Sequence, residues 1–342
     1  MDKFSFGALS DGREVTAYRI RNASGSEAVV LDYGCTLQSL LVPDRDGKLV
    51  DVTLGYDTAL EYEKNGGFFG AGIGRVGNRI GNASFTLDGK TYNLVPSEGK
   101  NQLHGGTKGF DKCFFDVEEV ENGLAFSRLS PDGEEGFPGN LQVRMIVTLS
   151  DDNVLTFTYE ADTDASTPVN LTNHAYYNLA GEGNMLDHEL KIYASNFTPV
   201  DAESIPTGEI APVAGTPLDF TAGKPVGQDI AADMEQMKLV NGFDHNFVLD
   251  GAEEWKPAAE VYCARSGIAM KVNTTAPAMQ FYGGQFIDAK VGKGGAPLGA
   301  KYGLCLETQI HPDAVNKPNF PNPFIPAGGH FYSRTSYAFT VR

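Results

Sequence analysis

A chain of 342 residues can bury a large core, and its 44 acidic against 27 basic residues leave a net charge of −17. That balance, with no basic block anywhere, excludes nucleic acid and anionic membrane surfaces as natural partners. No apolar run approaches membrane-spanning length, and Met1-Asp2-Lys3-Phe4-Ser5-Phe6-Gly7 lacks the basic lead and apolar run of an export signal, so a soluble cytoplasmic protein is expected.

Taken in chain order, short β-prone runs alternate with turn dipeptides almost from end to end. Asp44-Arg45-Asp46-Gly47 hints at a calcium loop, but the required Glu position falls on Thr53 and no helices flank it, so it reads as a turn. Thr58 to Lys64 has the length and pattern of a couple of helical turns. Gly72-Ile73-Gly74-Arg75-Val76-Gly77 matches GxGxxG, yet a dinucleotide site needs a helix directly after it to receive the pyrophosphate, and here a hairpin follows. That hairpin runs Ala83 to Leu87, turns at Asp88-Gly89, and returns over Lys90 to Leu94. Phe115 to Val120 turns at Asn122-Gly123 into Leu124-Ala125-Phe126, and Leu141 to Leu149 turns at Asp151 to Asn153 into Val154 to Tyr159. A second short helical stretch is expected over Ile230 to Lys238, and a mobile loop over Gly292 to Gly299.

Length alone allows two domains, but no linker, repeat or βαβ series divides the chain. The expected fold is therefore all-β, one large antiparallel β-sandwich over residues 1–342, with 40 glycines and 18 prolines serving its many turns. Cys35, Cys113, Cys263 and Cys305 are far apart and form no CxxC pair, so they read as free buried thiols. The six histidines show no metal-ligand spacing, and no metal is expected.

One uncharged, β-prone stretch surrounds a single histidine with amides, hydroxyls and phenols: Val169-Asn170-Leu171-Thr172-Asn173-His174-Ala175-Tyr176-Tyr177-Asn178-Leu179. Imidazole exchanges protons near neutral pH, and the uncharged donors and acceptors around it suit a polyhydroxylated ligand. Four other segments combine small residues with isolated polar groups, as loops around a ligand do: Gly74 to Ile80, Asn101 to Gly106, Gly242 to Phe247, and Leu304 to Asp313. In the last of these Glu307 interrupts an apolar strand, where a carboxylate is costly unless it is paired or useful.

In this order the segments resemble the aldose 1-epimerases, or galactose mutarotases: Asn-Arg-Ile, Leu-His-Gly-Gly, Asn-His-Ala-Tyr-Tyr-Asn-Leu, Asp-His-Asn-Phe, and Glu-Thr-Gln with Pro-Asp soon after. The resemblance covers nearly the whole chain and implies the family's galactose mutarotase-like supersandwich. It implies Glu307 as general base and His174 as general acid, with Asn78, Arg79, His104, Tyr176, Asp244 and Gln280 binding sugar. Gly77 stands where many relatives have alanine, which changes loop stiffness more than chemistry. Arg75 is expected to serve structure by meeting a carboxylate or carbonyl, His245 and His311 to pack beside the site, and Trp255 to lie at the surface.

Interconverting the anomers of a free aldose such as galactose or glucose requires one base and one acid, and no cofactor. Three alternatives differ by recognisable features. A hexose-phosphate epimerase on the same fold would need further cationic groups, and a silent sugar-binding or sugar-sensing protein would not need both Glu307 and His174. A glycoside hydrolase would want two carboxylates. The expected partner is a small sugar, and the expected state a monomer or homodimer.

Overall fold

Strict alternation explains the long strands. In Leu141–Leu149 the side chains of Leu141, Val143, Met145, Val147 and Leu149 are buried while those between them are partly or fully exposed, the period-two pattern of a sheet with one face on a core. The computed structural model describes residues 2–64 and 66–342, and every strand pair in it is antiparallel.

The largest sheet has nine strands, with the last strand of the chain, His330–Val341, inserted between Val154–Thr163 and Ile268–Thr274. A six-stranded sheet runs in the order Tyr176–Tyr177, Leu304–Gln309, Ala278–Tyr282, Asp244–Val248, Asn196–Thr198, Ala211–Pro212. The first five strands, Asp2–Ala8 to Leu49–Asp51, form a meander of their own. Side chains from all three sheets meet in one apolar cluster, among them Val30, Leu37, Phe126, Met145, Phe157, Phe247, Phe281 and Leu306. Each fully buried side chain of this kind contributes roughly 1.5–3 kcal/mol, opposed by the entropy of ordering the chain. The all-β expectation holds: among the described residues the α-helices are two short ones, Ala59–Lys64 and Glu235–Leu239.

Local expectations fare unevenly. Asp88 and Gly89 both have positive φ and join Ser84–Leu87 to Lys90–Asn93, the primed turn expected of Asp-Gly. At Asn122-Gly123 the turn lies one residue earlier, because Val120 pairs with Gly123. Gly123 serves packing instead of turning: a Cβ there would sit 2.1 Å from the carbonyl oxygen of Val147 on the next strand. Thr58 caps the first helix reciprocally with Glu61, whereas the second begins only at Glu235, five residues later than expected. The Asp44 carboxylate accepts the N–H groups of Asp46 and Lys48, a turn and no calcium loop. After Gly77 come the short strand Arg79–Ile80 and a single 3-10 turn, Gly81–Ala83, so GxGxxG does not lead into the α-helix that a dinucleotide fingerprint requires.

The loop over Gly292 to Gly299, expected to be mobile, is anchored at Lys293 and Gly294. Its tip is tethered: Lys293 Nζ meets Asp51 Oδ2 at 2.6 Å and donates to the Gln38 carbonyl at 2.8 Å, while the Gly294 N–H donates to Asp57.

Candidate active site

The six-stranded sheet provides a polar floor. Asp244 pairs with Tyr282, Tyr282 with Cys305 and Cys305 with Tyr176, while two residues along Asn246, Gln280 and Glu307 form a parallel row. Paired residues share a face, so all of these project away from Leu304 and Leu306, which point into the apolar core. The strand Leu304–Gln309 is thus buried on both faces, one apolar and one chemical.

Above this floor lies a cavity of about 330 Å³, walled by the Gly66 to Phe69 loop, the Asn78-Arg79 and Leu103-His104 segments, and Phe286 to Asp288. Asn78, Arg79, His104, His174, Tyr176, Asp244 and Glu307 all line it. Gln280 does not. Its Nε2 donates to Asp244 Oδ1 at 2.7 Å, and Gln309 behind it donates to Asn246 Oδ1 at 2.9 Å. Gln280 therefore orients the carboxylate that faces the cavity.

His174 and Glu307 are 5% and 2% exposed, with His174 Nε2 3.6 Å from Glu307 Oε1. Glu307 Oε2 is buried without a partner among the described residues. Burial pushes the Glu307 carboxyl well up, as does the negative Asp244, with Arg79 opposing both. Burial likewise pulls the His174 imidazolium down to about 4. A carboxylate raised in this way is a stronger base, and an imidazolium so lowered a stronger acid.

Arg79 is clamped at two of its nitrogens by Glu98, Nε to Oε2 at 2.6 Å and Nη2 to Oε1 at 2.9 Å, a bidentate pair that fixes the guanidinium plane. Asn78 and His104 hold each other, each with a left-handed backbone: the Asn78 N–H donates to His104 Nδ1 at 3.1 Å and the His104 N–H to the Asn78 carbonyl at 3.1 Å. Burial first, then the neighbouring charges of His174 and Arg79, pull the His104 pKa well down. It is a neutral imidazole whose one proton must sit on Nε2, a fixed donor. Next to it Gly105 has φ +88°, and a Cβ there would lie 1.9 Å from the Gly74 carbonyl oxygen, so only glycine lets the loop close. Tyr176 is stacked on Phe69 at 4.4 Å and spends its hydroxyl proton on the Gly67 carbonyl at 2.8 Å.

His104, His174 and Glu307 bring donor atoms within 4.8 Å of one another, a spacing that a cation could bridge. The chemistry of the set does not fit one: the lone pair of His104 Nδ1 is taken by a backbone N–H and its Nε2 is protonated.

The remaining expectations resolve plainly. Arg75 is 2% exposed and donates to the carbonyls of Pro138, Gly139 and Ser130, so it binds carbonyls as expected and knits three segments together. His245 lies behind Asp244 and accepts its N–H, while His311 packs edge-on to Phe320. Trp255 is surface-exposed under the Arg334 guanidinium. All four cysteines are buried and free. Sequence reasoning missed Glu98, Phe68, Tyr282, Phe286 and Asp288. Gly66-Gly67-Phe68-Phe69 and Tyr282-Gly283-Gly284 did carry a signal, aromatics beside paired glycines, but Glu98 sits in an ordinary polar turn.

A family model described as Aldose 1-epimerase matches residues 16–338. The chain belongs to the aldose 1-epimerase family. Among relatives of the family, it is 48% identical to a galactose mutarotase of Bos taurus over 91% of this chain and 90% of that one. It is 40% identical to an aldose 1-epimerase of Escherichia coli over 96% of each. The structure of an aldose epimerase homologue from C. elegans superimposes with a TM-score of 0.89 at 32% identity, covering 95% of this chain and 98% of that one. A galactose 1-epimerase from Lactobacillus acidophilus gives 0.88 at 28% identity, covering 99% and 98%. Among the described residues no helix is long and apolar enough to cross a membrane.

Proposed function

We propose that this cavity interconverts the α and β anomers of a free aldose such as galactose or glucose, with Glu307 as general base and His174 as general acid. The observation that carries the assignment is the buried pair itself, a carboxylate and an imidazole 3.6 Å apart beside hydroxyl-binding groups. Glu307 takes the proton of the C1 hydroxyl as His174 Nε2 gives one to the ring oxygen. The C1–O5 bond breaks and C1 becomes an aldehyde. Rotation about C1–C2 presents the other carbonyl face. Glu307 then returns its proton to the carbonyl oxygen, His174 recovers its own from the C5 hydroxyl, and the ring closes as the opposite anomer. Protons move and oxidation state is unchanged, so the reaction requires no redox carrier. Positioned acid and base groups contribute roughly 10²- to 10⁴-fold each.

The other polar groups have matching tasks. Asp244, held by Gln280, accepts from sugar hydroxyls, and Nε2–H of His104 donates to one. Arg79 supports the oxygen on which charge develops. Asn78 and Tyr176 shape the wall by holding His104 and the Gly66–Phe69 loop. Phosphorylated sugars fit poorly, because Arg79 is already neutralised by Glu98 and the other charged groups lining the cavity, Asp244, Asp288 and Glu307, are acidic. The same reading takes residues 1–342 as one domain, a cytoplasmic enzyme working as a monomer or homodimer.

Polarimetry of freshly dissolved α-D-galactose and α-D-glucose tests the function. Purified protein should hasten the approach to the unchanged equilibrium rotation. An unaccelerated decay of rotation, with sugar binding still visible by calorimetry, would leave a receptor in place of an enzyme.

A further inference from the structure

The acid of the pair has a second neighbour that the proton transfers above do not use. Cys305 Sγ lies 3.5 Å from His174 Nδ1, and among the described residues no other side chain hydrogen-bonds that nitrogen. Cys305 and Glu307 stand two residues apart on one strand and therefore on one face. A single strand thus addresses both nitrogens of the ring, Nδ1 through sulfur and Nε2 through the carboxylate at 3.6 Å.

Resting on the acid role proposed for His174, we propose that Cys305 is a positioning residue for that acid: its sulfur accepts Nδ1–H throughout the cycle and so reserves Nε2 for proton exchange with the sugar. When Nε2 gives its proton to the ring oxygen, the neutral imidazole keeps Nδ1–H, and a buried N–H needs an acceptor. Thiol sulfur is a weak, uncharged acceptor. A carboxylate at this place would stabilise the imidazolium and blunt its acidity, as the carboxylate partner does where histidine must act as a base. Sulfur orients the ring while stabilising the imidazolium far less. Cys305 is fully buried, and burial holds its thiol well above the ordinary range, so no thiolate forms beside the imidazole.

The test compares Cys305→Ala and Cys305→Ser with the unaltered protein by polarimetry across pH, and reads the His174 tautomer in the sugar-free protein by ¹⁵N NMR. The expected spectrum has Nδ1 protonated in the unaltered protein. Cys305→Ala should lower kcat about five- to tenfold, the loss of one modest hydrogen bond, with KM within about twofold because no sugar contact is touched. The alkaline limb of the kcat profile, which reports the imidazolium, should move to lower pH in the alanine variant. Serine, a hydroxyl acceptor, should return kcat and the limb toward their original values. A limb that stays fixed while kcat falls would reduce Cys305 to packing, and an Nε2–H tautomer would show sulfur donating; either overturns the proposal. If no anomerisation is seen in any variant the proposed function fails, while the NMR tautomer still decides the contact.

Discussion

Replacing Gln280 with leucine tests how the site holds its sugar-facing carboxylate. Leucine is one bond shorter and lacks the Nε2–H that reaches Asp244 Oδ1 at 2.7 Å. A hydrogen bond to a charged group is worth about 1.5–3 kcal/mol, which corresponds to roughly ten- to hundredfold in affinity. Burial already raises the Asp244 carboxyl, with Arg79 and Gln280 holding it down, so losing the amide raises it further and loosens its aim. Calorimetry with galactose should show that loss in Kd, and polarimetry a matching fall in kcat/KM. The decisive comparison is a double-mutant cycle with Asp244→Ala. If Gln280 acts through Asp244, adding Gln280→Leu to Asp244→Ala costs less than about twofold, because the group it orients is gone. A full penalty on the Asp244→Ala background would mean that Gln280 touches the sugar itself, and the reasoning from the cavity wall would be wrong.

Glu98→Gln should raise KM for galactose by no more than about fivefold, since its carboxylate is partly exposed, while inhibition by galactose 6-phosphate becomes stronger; unchanged phosphate inhibition contradicts the clamp. Arg75→Met leaves several buried carbonyls without a donor and should cost about 3 kcal/mol or more, lowering Tm by roughly 4 °C in a chain of this length; a Tm within a degree of the original refutes a structural role. Burial lowers His174, His245 and His311 to about 4 from the ordinary 6.5. Below pH 6.5 the unfolded chain therefore takes up protons that the folded one refuses, and stability complete above 6.5 is lost as pH falls toward 4. Each histidine contributes a slope of about 1.4 kcal/mol per pH unit inside that window, partly offset by Glu307, whose raised pKa has the opposite sign. Urea midpoints should drop across the window, with a shallower drop in His311→Phe; a flat midpoint speaks against neutral buried imidazoles.

The parts of the site that share one strand or one turn were legible in the sequence. Glu307 announced itself by its cost within an apolar strand, and His174 by its uncharged polar surroundings. For GxGxxG the physical requirement, an α-helix directly after it, could be checked in the sequence, because the hairpin that follows is itself legible. What stayed hidden depends on register and on long-range contact. Gln280 carries the right chemistry for a sugar contact, and only the pairing of its strand with that of Asp244 shows that its amide donates to the Asp244 carboxylate. Glu98 lies 19 residues from Arg79 in a turn with no unusual composition. The tether of Lys293 crosses 242 residues to Asp51, so glycines that suggest freedom flank an anchored lysine. Gly123 misled because Asn-Gly is a turn signal, whereas this glycine is required by the adjacent strand.

The most direct measurement is polarimetric mutarotation of α-D-galactose by the Glu307→Gln protein, with folding checked by thermal melting and galactose binding by calorimetry. With Glu307 as the base, the variant melts as the original does, still binds galactose, and loses roughly 10²-fold or more of the catalysed rate. A folded, sugar-binding Glu307→Gln protein that turns over at the original rate would contradict it.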